Sequence, residues 1–132
     1  MVCPECIVLP KPIRVLVVDH DPRVRTAIGQ TIDREVDLLL VAEAEDAAAA
    51  LLTAERAGSL VALVDVALPD STTGLALVHT LAHRSGCAVV AMSIDGSQRA
   101  SAMAEGAVQY VEKDGDIDAI LAAVRSAFAL DL

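Results

Sequence analysis

Positive charge is scarce in this chain. Ten lysines and arginines stand against 19 aspartates and glutamates, a net charge of -9 over 132 residues. That balance repels phosphate backbones, so no direct nucleic-acid binding is expected. Long apolar runs are missing too. None reaches the roughly eighteen residues of a membrane-spanning helix. The N-terminus has no basic segment leading into an apolar core, which excludes a secretory signal and makes the cytoplasm the expected location. Cysteine is sparse and odd in number: Cys3, Cys6 and Cys87. Cys3-Pro4-Glu5-Cys6 is a C-x-x-C pair, yet zinc wants four ligands and no second pair exists. A redox pair should follow a strand and open a helix, whereas this one precedes the first apolar run. Residues 1–12 therefore read as a flexible leader. Cys87 opens an apolar run and reads as a small core residue.

What is present is an alternation of strand and helix, repeated five times. Ile13 to Val18 is the first strand. Asp21-Pro22 reads as an N-cap with proline at the first helical position, and Val24, Ile28 and Ile32 follow at helical spacing to about Arg34. Leu38 to Ala42 is a second strand. Asp46 caps an alanine-rich helix over Ala47 to Arg56, stopped by Gly58. Leu60 to Val64 is a third strand. A loop with Pro69 and Gly74 leads to a helix with Leu77, Val78 and Leu81 on one side, ending near Gly86. Cys87 to Met92 is a fourth strand, Gly96 to Glu105 a short helix, and Ala107 to Val111 a fifth strand. Asp116 caps a last helix whose Ile117, Ile120, Leu121, Val124 and Phe128 form a buried stripe.

Strands separated by helices of this length make parallel βαβ units with right-handed crossovers. The fold class predicted is α/β: a doubly wound, three-layer, flavodoxin-like sheet in the order 2-1-3-4-5, one domain over 13–130. The switch point then falls between the strands that end in Asp19 and Asp65. Lys113 ends strand five and Ser93 ends strand four. Two carboxylates, a lysine and a hydroxyl would meet at one sheet edge. Such a cluster binds a hard cation and a phosphoryl group. Asp65, beside a divalent cation, can attack phosphorus to form an acyl phosphate. Lys113 can pair with Asp65 or a phosphoryl oxygen, and Ser93 can donate to another. Asp19 can hold the cation directly or through water, and magnesium suits these hard oxygens. Taken singly, Asp19 reads equally as a loop acid, Asp65 as a cap, Lys113 as a solvated lysine and Ser93 as a polar strand stop. Their joint occurrence at four strand ends carries the functional reading. No glycine-rich loop follows strand one, which disfavours a nucleotide-binding or flavin enzyme.

The ordered set of Asp19, Asp65 with Leu68-Pro69 and Gly74, Ser93, Gly106-Ala107, Tyr110 and Lys113 resembles the receiver domain of two-component response regulators. The likeness covers Ile13 to about Phe128. It implies that Asp65 accepts phosphate from a sensor histidine kinase. It implies magnesium held by Asp19, Asp65 and the backbone carbonyl of Ala67, with manganese as the alternative ion. Ser93 and Lys113 would contact the phosphoryl group, and Tyr110 would switch rotamer as Ser93 moves. The partners implied are the kinase, an output domain or downstream protein, and a second copy in a homodimer. Such a chain is a phosphoprotein with slow self-catalysed transfer, not a metabolic enzyme. Two positions depart from the family pattern, and the span from Asp65 to Gly74 is one residue longer than the family's usual loop. His20 stands where a second acid usually binds the metal, and neutral imidazole suits softer ions. Ile94 replaces a small residue after Ser93. Both favour the rival reading, a pseudo-receiver that binds or dimerises without phosphate.

Overall fold

The computed structural model describes residues 11–58, 60–67 and 69–130. The leader's Cys3 and Cys6, and Leu68, lie outside the described residues. Five strands, β1 (Ile13–Val18), β2 (Leu38–Ala44), β3 (Val61–Asp65), β4 (Ala88–Ser93) and β5 (Gln109–Glu112), alternate with five helices. The helices are α1 (Pro22–Asp33), α2 (Ala47–Ala57), α3 (Ser71–His83), α4 (Arg99–Glu105) and α5 (Ile117–Leu130). The sheet is parallel and runs β2-β1-β3-β4-β5, the expected order.

Period two along the central strands separates two cores. Leu16 and Val18 of β1 pack with Val64, Val89 and Ala91 under α2, α3 and α4. Val15 and Val17 pack with Leu63, Val90 and Met92 under Ile28 and Ile32 of α1 and Ile120, Leu121 and Val124 of α5. Both faces of the sheet are therefore covered, which is why β1, β3 and β4 read as unbroken apolar runs. Cys87 is buried just before β4.

Side-chain caps set most helix starts. Asp21 accepts from the Arg23 amide at 2.9 Å, Asp46 from Ala49 at 2.8 Å and Asp116 from Ala119 at 3.1 Å. Three expectations need correction. Asp70 caps α3 by accepting from Thr73 at 2.9 Å, so the helix starts at Ser71 and Gly74 lies within it rather than in the loop. The fourth helix is shorter than predicted, beginning at Arg99 rather than Gly96. Phe128 is 40% exposed and Ala127 takes the buried place on α5. On a 3.6-residue helix Phe128 stays within about 20° of the stripe, so its exposure goes with its place in the last turn of α5 and not with its angular position.

Gly74 fixes how α3 meets the sheet. A Cβ there would lie 1.9 Å from the carbonyl oxygen of Val66, inside van der Waals contact with backbone. The helix thus packs hard against the residue after Asp65, and the glycine leaves that peptide in place.

Candidate functional site

Each strand of the switch point ends in an acid. Asp19 follows β1 and Asp65 is the last residue of β3, and both are buried, at 0% and 1% exposure. Local backbone turns aim them. Oδ1 of Asp19 accepts from the Asp21 amide at 2.9 Å, and Oδ1 of Asp65 accepts from the Ala67 amide at 3.0 Å. The second oxygen of each carboxylate is then left to face the other. Lys113, one residue past β5, bridges them. Its Nζ lies 2.9 Å from Oδ2 of Asp19 and 3.2 Å from Oδ2 of Asp65. The Lys113 amide donates to the Ser93 carbonyl at 2.7 Å, so buried Ser93 at the end of β4 is tied to the same edge.

Burial disfavours the ammonium of Lys113. Hydrogen bonding to Asp19, followed by the charges of Asp19 and Asp65, outweighs that cost and raises its pKa above the ordinary lysine value of 10.5. Lys113 is therefore a fixed cation at physiological pH.

His20 extends over the pair from the solvent side. Its Nδ1 is 3.4 Å from Oδ2 of Asp65 and 3.8 Å from Oδ1 of Asp19, and the side chain stays 61% exposed. Asp19, His20 and Asp65 each offer a ligand atom within 4.8 Å of the others. This donor set fits a divalent cation. Its carboxylates suit magnesium, and its imidazole favours manganese or a softer ion. Ala67, the residue expected to lend a carbonyl, stands at the rim through its bond to Asp65. Asp21 serves as an N-cap, as its proline neighbour suggests. Ile94, 75% exposed, faces solvent at the start of the β4–α4 loop.

Tyr110 is buried, and its hydroxyl donates to the carbonyl of Asp95 at 2.5 Å. That bond holds the β4–α4 loop to β5. Arg99 stacks on the same ring, its guanidinium carbon 4.9 Å from the centroid. Two contributors carry no sequence signal. Arg25 of α1 donates to the Asp19 carbonyl at 2.6 Å and pins the strand end. The Asp95 contact uses a backbone oxygen, which no residue type betrays. No helix among the described residues is long and apolar enough to cross a membrane.

The same fold recurs in solved structures. The response regulator domain of Thermotoga maritima CheB is 23% identical, covers 89% of this chain and 96% of its own, and superposes with a TM-score of 0.81. A two-component response regulator of the LuxR family from Aurantimonas sp. SI85-9A1 is 24% identical over 90% of this chain and 86% of its own, at 0.78. The REC domain of AraT, a response regulator from Geobacillus stearothermophilus, is 26% identical over 87% and 92%, at 0.72. No curated protein sequence matches the chain. A family model described as the response regulator receiver domain matches residues 15–125, and the chain belongs to that family.

Proposed function

We propose that the chain accepts a phosphoryl group on Asp65 from the phosphohistidine of a sensor histidine kinase, and that the charged product switches a protein-interaction surface. The observation that carries this reading is the single ammonium shared by two buried carboxylates. Asp19, Asp65 and Lys113 sum to one negative charge. A divalent cation turns that to one positive charge, which attracts the phosphoryl group. Once Asp65 has become an acyl phosphate, dianion, Asp19, Lys113 and cation sum to zero.

In the transfer, an oxygen of Asp65 attacks phosphorus as the bond to the histidine nitrogen breaks, and the imidazole leaves with that electron pair. Asp19, Asp65 and the Ala67 carbonyl would hold the cation, with His20 at its edge. When bound, the ion neutralises phosphoryl oxygens and aligns the in-line displacement. Lys113 then releases Asp65 and pairs with a phosphoryl oxygen. Ser93 donates its hydroxyl to another, and this pull on the β4–α4 loop is transmitted through Asp95 to Tyr110. The chain is thus a phosphoacceptor of the cytoplasm rather than a metabolic enzyme. Its downstream partner is an output domain, a separate protein or a second copy.

The pseudo-receiver reading has one observation in its favour: the His20 ring lies on the side from which a phosphoryl donor would enter. Intact mass separates the two. Incubation with magnesium or manganese and acetyl phosphate or phosphoramidate is expected to add one phosphoryl group, and Asp65→Asn to abolish the gain. No gain with either ion and either donor would leave the pseudo-receiver.

A further inference from the structure

Toward the C-terminal ends of α3 and α4, a second set of metal-capable side chains comes together. His79 and His83 are four residues apart on α3 and therefore share one face. Their ring centroids lie 4.5 Å apart, tilted by 47°. Glu105, the last residue of α4, reaches across to them, its Oε2 3.1 Å from Nδ1 of His79. The next residue, Gly106, sits under the other ring: a Cβ there would come within 2.9 Å of Nε2 of His83. Both histidines and the end of α4 are thus in one place.

We infer that His79 and His83 chelate a borderline divalent transition ion of the zinc, nickel or copper class, with Glu105 fixing the His79 ring from its other nitrogen. The chemistry follows from the atoms. Imidazole suits these ions, whereas magnesium wants oxygen. Two histidines spaced by four on a helix present both rings to one ion, as in helical zinc motifs. The Glu105 carboxylate stands 3.1 Å from Nδ1 of His79, on the side away from Nε2, which would then be the ligand atom. A carboxylate in that place orients a ligating imidazole and raises its basicity. Both rings are exposed, and rotation about χ2 costs little, so the nitrogens can turn toward one centre. A groove of about 530 Å³ beside His79, Thr72 and Glu105 leaves room for waters to complete the shell. A bound ion would tie α3 to the end of α4, next to the turn that enters β5 with Tyr110 and Lys113. It would give the switch an input separate from Asp65.

The chain has three histidines, His20, His79 and His83. A long-range proton–nitrogen NMR spectrum of the full chain therefore reports each imidazole separately. Zinc ions, titrated with magnesium in excess, are expected to shift the ring nitrogens of His79 and His83 in concert. Glu105→Gln is expected to weaken that response by about tenfold. His83→Gln should weaken the His79 response by more, while the backbone amide spectrum stays folded. Acidification should release the ion, because ligating imidazole must be neutral. A His79 response unchanged in His83→Gln would overturn the inference. So would zinc in excess that leaves both rings unmoved while shifting His20 or binding Cys3 and Cys6.

Discussion

Lys113 is the residue on which the acid pair depends. Two carboxylates with almost no exposure stand within reach of each other, and one ammonium, itself only 16% exposed, separates them. Removing one partner of a buried ion pair strands the other charge, typically at 3–5 kcal/mol. Lys113→Met keeps the apolar stem and deletes the charge. In the presence of a chelator it is expected to lose roughly 3 kcal/mol, the low end of that range, because the pocket opens to water on the His20 side. The pH dependence has a definite sign. Folding raises the lysine pKa, so the contribution is complete below the ordinary value of 10.5 and fades as pH climbs through the higher folded value. Urea denaturation of parent and variant should thus show a gap at neutral pH that closes in strong alkali. Equal stability at neutral pH would mean that the ion pair contributes nothing to folding. The three residues of this group were legible in the sequence because each ends an apolar run, and parallel topology brings such ends together. The amide bonds that aim the two carboxylates were not legible, since Asp21 and Ala67 take part only through their backbone.

Between elements, the tie that matters most outside the site joins α5 to the α1–β2 loop. Arg125 donates from Nε and Nη2 to both oxygens of Asp37, at 2.7 and 2.9 Å, and from Nη2 to Glu35 at 2.8 Å. The forked bond to Arg125 lowers the Asp37 pKa against a small opposing effect of burial. A depressed carboxylate pKa stabilises above its unfolded value, here 3.8, and the effect is lost as pH falls through the folded value. Both partners are more than a third exposed, so solvent screening keeps the contribution to about 0.5–1 kcal/mol. Arg125→Met should therefore lower the unfolding free energy from urea curves by that amount at neutral pH, and match the parent only once the pH has fallen through the depressed Asp37 value, which lies below 3.8. A gap that persists in acid would assign the loss to packing of the arginine stem instead. Element boundaries were legible where hydrophobic period or an Asp cap marked them, as in β1 and α2. They failed where turn formers hid a helix. Ser71, Thr72, Thr73 and Gly74 read as loop, yet Asp70 caps them. The glycine is there for the close approach to Val66 rather than for a turn.

Over the whole molecule, charge is divided between the two edges of the sheet. The end of β5 and the loops after the strands carry exposed Glu112, Glu45, Asp46, Asp70, Asp95, Asp114 and Asp116 on the edge that holds the site. The helices end at the other edge, where Arg34, Arg56 and Arg84 sit in or just past last turns, facing the negative ends of the helix dipoles. Among the described residues the acidic excess therefore lies on the edge that holds Asp65. Such a rim draws divalent cations toward the pocket and repels an anionic phosphoryl donor. With the divalent ion held at saturation, the rate of Asp65 phosphorylation by acetyl phosphate should rise about two- to fivefold from low to physiological salt, as screening shortens the reach of the rim to roughly 8 Å. Reversing two rim charges, as in Asp95→Lys with Asp114→Lys, should raise the low-salt rate and flatten the salt dependence. Both acids are exposed. Asp95 bonds Ser97, Asp114 bonds the Asp116 amide, and Asp95 holds Tyr110 only through its backbone, so folding should survive. A parent rate that instead falls with salt would mean that Lys113 and the bound ion dominate the field at the entrance, and that the acidic rim does not govern access.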